Sequence, residues 1–379
     1  MNLRNLVPAL ALAAVTAAPA MAADAVPAVS FSGWVDTILA ISDDDTDDTI
    51  GGKDDESATI RFTSQASIKA NWKVTDALTA KINLWFDPGS DGLNMREAYF
   101  AWAINDTVTW SMGKYIDHIG WLSAEPTGLY TVNDSLIGYL DAYGNDVIGT
   151  SIGVAPKDSP ISGSFHIVNG YFTGSDALNG DPSTERENTD LGFGLDLIYE
   201  LPNDMGSLNL EFAYDMSSGQ PDPTGYSLGN APAGGIGGDV FLVGFNATVK
   251  PVKPLMIGAE IQYLAIGESE TAGGTEVVDS DISRIQGMLL ANYAIEGASI
   301  PMSVTGQLQY ITIDNNSADD ETRFGLAVAL LTNPLGSSNF GLNFEVGFYD
   351  VSDFGGTTPP TPAVDDNGFV LAMEGLVTF

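Results

Sequence analysis

The chain is 379 residues long, with 14 Lys+Arg against 50 Asp+Glu and a formal net charge of -36. Such a balance offers no basic footprint to a nucleic acid, and the absence of cysteine excludes disulfide scaffolds, thiol catalysis and Cys-bound zinc. Two histidines exclude a His-rich metal site, and 42 Gly with 44% hydrophobic residues point to an all-β chain with tight turns.

In chain order, Arg4 supplies a positive start, 6–18 is an apolar run, and Ala20-Met21-Ala22 matches a small-x-small cleavage site. The run is shorter than the about 20 residues of a spanning helix. Residues 1–22 are therefore expected to be a signal peptide, and 23–379 a single domain. No later stretch reads as a transmembrane helix. A periplasmic protein, a secreted protein and an outer-membrane barrel remain.

Candidate strands then recur with period-2 patterning. In 58–72, Arg61, Thr63, Gln65, Ser67, Lys69 and Asn71 share one face, and Phe62, Ser64, Ala66, Ile68, Ala70 and Trp72 share the other. Further strands are expected near 29–41, 77–86, 95–104, 107–115, 146–155, 161–171, 189–200, 205–216, 239–250, 254–266, 282–295, 300–313, 322–332, 338–349 and 367–379. The connections alternate. Short ones at 73–76, 105–106, 156–160, 201–204, 251–253, 296–299 and 333–337 mostly carry Pro, Asn, Asp or Gly, the residues of tight turns. Long ones fall at 42–57, 87–94, 116–145, 172–188, 217–238, 267–281, 314–321 and 350–366. This sorting predicts a sixteen-stranded antiparallel transmembrane β-barrel with short periplasmic turns and long outside loops. Trp34, Trp72, Trp85, Phe86, Trp102, Trp110 and Tyr115 near strand ends suit interfacial girdles. In the last strand Phe369, Leu371, Met373, Gly375, Val377 and the terminal Phe379 share a face, and Phe379 is the expected assembly signal.

The longest connection, 116–145, mixes aromatics (Trp121, Tyr130, Tyr139, Tyr143) with the acids Asp117, Glu125, Asp134 and Asp141. So apolar a loop would be unstable in water, and its expected place is the lumen, with those acids lining a constriction. Arg61, Lys69 and Lys81 are expected to form a small basic wall patch opposite it. Glu97, Asp196, Glu211, Glu260, Glu345 and Glu374 read as a hydrated acidic wall. The run 43–48 has the first three spacings of an EF-hand loop at Asp43, Asp45 and Asp47. Its sixth position is Asp48 rather than Gly, and strands flank it instead of helices. A solvated loop that bridges weakly through divalent cations to lipopolysaccharide is the expectation, with no ordered metal site and no cofactor. His118 and His166 lie far apart in sequence, no Ser–His–Asp site is locatable, and the chain reads as no enzyme.

The run Met95-Arg96-Glu97-Ala98-Tyr99-Phe100, a two-residue turn, Met112-Gly113-Lys114-Tyr115 and then Gly120-Trp121 resembles the OmpL-like β-barrel porin family and, more distantly, the phosphate-selective porins. The resemblance implies a sixteen-stranded outer-membrane porin, a homotrimer, whose loop after the fifth strand narrows the pore. The chain lacks the Arg and Lys ladder of the phosphate-selective group. A cation-preferring channel for small hydrophilic solutes and ions in a Gram-negative-type outer membrane is therefore the expected function, with outer-membrane lipids and the barrel-assembly machinery as partners. The alternative is a structural or adhesive surface barrel acting through its acidic loops.

Overall fold

The computed structural model describes residues 28–46, 55–87, 92–122, 125–133, 135–137, 146–171, 191–216, 239–266, 282–315, 321–336, 339–353 and 364–379. The candidate signal peptide lies outside them.

Sixteen strands form one closed ring. The first eight are β1 (Ala28–Thr46), β2 (Asp55–Lys73), β3 (Leu78–Asp87), β4 (Gly92–Ala103), β5 (Val108–Ile116), β6 (Asp146–Val154), β7 (Ile161–Val168) and β8 (Gly192–Glu200). The second eight are β9 (Gly206–Asp215), β10 (Val240–Val252), β11 (Leu255–Ile266), β12 (Ile282–Ala294), β13 (Met302–Asn315), β14 (Glu321–Thr332), β15 (Phe340–Asp353) and β16 (Val364–Thr378). Each predicted strand overlaps one of these. Every strand pairs antiparallel with its sequence neighbours, and β1 pairs with β16 to close the ring.

The period-2 pattern sorts side chains between two environments. Val35, Ile68, Ile82, Met112, Ile152, Phe245, Ile261, Leu289, Val328, Val346 and Leu371 are exposed on the outer face. Alternating with them, Asp36, Ser67, Asn83, Asn246, Gln262, Gln286, Gln307 and Glu345 are buried and face inward. An apolar exterior around a polar interior is the arrangement of a barrel in lipid. Trp72, Trp102, Tyr199 and Tyr293 are exposed near the turn ends of their strands, where an interfacial girdle belongs.

Two sequence expectations are corrected. Trp34, Trp85 and Tyr115 are not girdle residues: they are buried inside, and Trp34 meets Trp85 edge-on at 5.0 Å. Their positions in β1, β3 and β5 put them on the inward face, which overrides nearness to a strand end. The acidic run is not a loop at its start. Asp43, Asp44 and Asp45 lie in β1, in register with Ala58, Ser57 and Glu56 of β2, so their backbone is extended rather than coiled as an EF-hand requires. Ser67, on the Lys69 face of β2, is fully buried, and its hydroxyl donates to Asn83 Oδ1 at 2.6 Å.

A bulge re-aims two charges. In the β3–β4 ladder Asn83 faces Glu97 but Leu84 faces Met95, leaving Arg96 as the extra residue. Strict alternation would set Arg96 and Glu97 on opposite faces. Instead the Arg96 guanidinium lies 4.5 Å over the inward Trp85 ring and bonds Asp146 at 2.6 Å, while Glu97 is buried among lumen groups. Bulges commonly redirect a side chain in this way.

Two predictions follow from faces and closure. Ile68→Lys places an ammonium on the lipid face and lowers stability by about 2–4 kcal/mol at mid-membrane depth. Thr63→Lys, on the exposed lumen side of the same strand, leaves the urea midpoint nearly unchanged. Closure depends on Gly33, whose N–H and C=O exchange 3.0 Å bonds with Phe379. A Cβ on Gly33 would overlap the Ser67 carbonyl and the Phe379 ring. Gly33→Val and deletion of Phe379 are both expected to reduce the fraction of heat-modifiable folded barrel on a detergent gel.

Candidate pore constriction

After β5 the chain leaves the wall and crosses the lumen. Ile119, Leu122 and Ile137 are buried against inward residues of the facing wall, among them Leu242, Leu264, Met288, Ile311 and Ile313. Apolar inward residues at this height give the loop a surface on which to bury its own apolar face.

Backbone amides of the loop meet wall carboxylates. Gly120 N–H donates to Glu211 of β9 at 2.8 Å and Trp121 N–H to Glu260 of β11 at 2.9 Å. The Trp121 indole donates to Thr248 of β10 at 2.6 Å and stacks on Tyr130 at 5.7 Å. Four residues on, Glu125 forms an ion pair with Lys69 of β2 and accepts from Asn83 of β3 at 3.0 Å. In a ring of sixteen strands, β2 and β10 stand opposite each other. Trp121 and Glu125 are therefore anchored to opposite sides of the lumen. The chain then runs to β15, where Val132 N–H meets Glu345 at 2.6 Å, and to β13 and β14. There Leu136 N–H donates to Gln309 at 3.3 Å and the Ile137 carbonyl accepts from Arg323 at 3.2 Å. Hydrogen bonds to charged acceptors contribute about 1.5–3 kcal/mol each, so these anchors hold the crossing firmly.

The predicted site residues separate into groups. Lys69, Lys81, Glu97 and Glu125 come together around Asn83: its amide donates to Glu97 and Glu125 at 3.0 Å each, and Lys81 pairs with Glu97 at 2.6 Å. Asn83 is the hub that sequence reading missed, although its inward parity was legible. Arg61 does not join. It is exposed and lies eight residues from Lys69 along β2, roughly 27 Å at the rise of an antiparallel strand. The three bases therefore form no single patch. Asp117 opens the loop and accepts from Ile119 N–H at 3.3 Å. Asp134 and Asp141 lie outside the described residues. The six acids read as a hydrated wall all face inward but are buried rather than water-lined. Glu211, Glu260 and Glu345 hold the loop, and Glu374 accepts from Asn343 at 2.5 Å.

The two histidines meet. His118 of the loop stacks on His166 of β7, with centroids 4.2 Å apart and planes 12° apart. His166 Nε2 lies 2.5 Å from Ser164 Oγ and 3.4 Å from Asp196 Oδ1, and its Nδ1 lies 3.2 Å from the Tyr115 hydroxyl. Ser164 also bonds Asp196. This is not the order of a nucleophilic triad, in which the carboxylate holds the nitrogen remote from serine. Here Asp196 and Ser164 share Nε2. Burial, with His166 adding to it, pushes the pKa of His118 down to about 4, so its imidazole is neutral at pH 7.

On the turn side of the crossing a cavity of about 410 Å³ lies between Thr127 of the loop and wall residues that include Asn292, Thr332, Asn343 and Thr378. Its lining mixes these polar groups with Met302, Leu331 and Leu376.

No protein-family model matches the chain, and no curated protein does. Solved structures match its fold. The outer membrane channel DcaP of Acinetobacter baumannii aligns with a TM-score of 0.60 at 14% identity, over 93% of this chain and 97% of that one. The anion-selective porin from Comamonas acidovorans gives 0.58 at 14% identity, over 93% and 100%. OmpT of Vibrio cholerae in its trimer form gives 0.55 at 13% identity, over 94% and 100%. At these identities the likeness establishes the barrel fold of outer-membrane porins over nearly the whole length.

The tight seat of the loop gives a test. A Cβ on Gly258 would overlap the Trp121 ring. Gly258→Val is expected to lift the crossing off β10 and β11 and to raise single-channel conductance in planar bilayers above that of the unaltered protein.

Proposed function

We propose that the chain is an outer-membrane porin of the OmpL-like kind, passing small hydrophilic solutes and ions by passive diffusion with a preference for cations. One observation carries the reading: a closed sixteen-strand ring with a polar interior, bridged by the loop that follows β5. Only barrels of about this strand number leave an aqueous channel, and a loop across the lumen sets its narrowest section. Residues 1–22 would direct export and be removed. Phe379 at the seam would be read by the assembly machinery, and lipopolysaccharide would surround the acidic outer end. The trimer form of a neighbouring fold supports a homotrimer. The channel does no bond chemistry.

The cation preference rests on the sign of the inward groups. Asp36, Glu97, Asp196, Glu211, Asp215, Glu260, Glu321, Glu345 and Glu374 are buried on the inward face, against Arg61, Lys69, Lys81, Arg96, Lys114, Arg284 and Arg323 as described inward bases. An apolar wall focuses such a field on the lumen. A fold neighbour titled anion-selective makes clear that the barrel alone does not set the sign. Glu125 contributes less than an unpaired acid would, because Lys69 compensates it.

In a KCl gradient across a planar bilayer the reversal potential is expected to favour K⁺. Glu125→Gln leaves Lys69 uncompensated beside the passage. One charge at about 8 Å in water is worth roughly 0.5 kcal/mol, against K⁺ and in favour of Cl⁻ alike, so at low salt the K⁺ to Cl⁻ permeability ratio should fall about sixfold, and Lys69→Gln should raise it by a similar factor. Anion selectivity would overturn the preference. Folded barrel with no conductance would favour the surface-barrel alternative.

A further inference from the structure

We propose that His118, His166 and Asp196 form a binding site for one first-row divalent transition-metal ion, which fastens the lumen loop to the barrel wall. Their ligand atoms, one from each residue, all lie within 4.8 Å of one another. Sequence separation hides the group. His118 is on the loop, His166 on β7 and Asp196 on β8, and only barrel closure and the inward turn of the loop bring them together.

The wall half of the site is preformed. His166 Nε2 and Asp196 Oδ1 stand 3.4 Å apart, about the separation that two zinc bonds of roughly 2.0–2.1 Å subtend at a tetrahedral angle. The Tyr115 hydroxyl at 3.2 Å from Nδ1 is the outer partner that holds a ligating imidazole in its tautomer. The Ser164 hydroxyl bridges the same two ligand atoms. Its position marks where a cation would enter, and its small side chain has only to rotate away or serve as a fourth ligand.

The loop half supplies the second imidazole. His118 is half-buried, and its two ring nitrogens are shut off from solvent with no hydrogen-bond partner of good geometry. The backbone of Leu195 and Phe212 passes close to the ring but outside hydrogen-bond geometry. A buried polar group without a partner is costly, and a metal bond removes that cost. In the stacked arrangement the two rings are nearly parallel, so their lone pairs do not converge. Binding requires the His118 ring to turn out of the stack, past Tyr171 and the backbone of Leu195 and Phe212. Two imidazoles and one carboxylate, with room for a water or Ser164, are a zinc-type donor set, whereas Mg²⁺ and Ca²⁺ prefer oxygen ligands.

The test uses the full-length barrel folded in detergent, with Zn²⁺ as probe against a chromophoric chelator and excess Mg²⁺ present to saturate surface carboxylates. One Zn²⁺ per chain is expected to resist Mg²⁺. His118→Gln and Asp196→Asn should each weaken it by at least the roughly 10–100-fold that even outer partners are worth. Heat-modifiable migration checks that each variant folds. Should a variant fail to fold, the unaltered protein still decides. Co²⁺ is expected to give the visible d–d bands of a site with nitrogen ligands, and Zn²⁺ to quench them by displacement. Zn²⁺ affinity equal in the unaltered protein and His118→Gln, displacement of Zn²⁺ by Mg²⁺, or Co²⁺ without bands beyond those of the aqueous ion would each overturn the site. None of these readouts depends on ion conduction, so the site and the channel reading fail separately.

Discussion

Lipid offers no hydrogen-bond partner, so every backbone N–H and C=O at membrane depth must be satisfied by the protein itself. A ring of antiparallel strands does this only when its first and last strands meet. The β1–β16 ladder, ending in the paired bonds between Gly33 and Phe379, is therefore the contact on which the rest depends. Without it two strand edges would lie open in hydrocarbon. With it, alternation along each strand sends one set of side chains to lipid and the other to a common interior, and the interior acquires its chemistry from that sorting.

A ring of sixteen strands is too wide for its own side chains to fill. The chain answers with the segment after β5. Its apolar face packs on the upper wall, and its amides donate to Glu211, Glu260 and Glu345. The lumen acids thus have a structural task as well as an electrostatic one. A backbone amide and a carboxylate form a directional, charge-assisted bond, and placing these bonds on several strands fixes a loop that has almost no regular structure. The bulge at Arg96 belongs to the same economy of space, since it lets neighbouring residues of β4 serve the interior together.

Charge in the constriction is more balanced than the net charge of -36 suggests. Lys69 and Lys81 are drawn to Glu125 and Glu97, with Asn83 between the two acids. Few bases in an acidic chain are expected to pair where desolvation makes an unpaired charge most costly.

Strand number, strand order and, away from the bulge at Arg96, the face of most side chains were legible in the sequence, because period-2 alternation and the sorting of connections into short and long are local properties. Inward parity was equally legible for Glu97, Asp196, Glu211, Glu260, Glu345 and Glu374, and all six face inward. Parity does not say what a side chain meets across a lumen. Trp34 and Trp85 looked like girdle residues until their faces placed them edge-to-face inside. Arg61 shares a face with Lys69 yet stands far from it along the strand. His118 and His166, separated by 48 positions in the chain, become stacked neighbours. These contacts depend on where the loop lies once the ring has closed. That is a property of three-dimensional distance, and no spacing along the sequence encodes it.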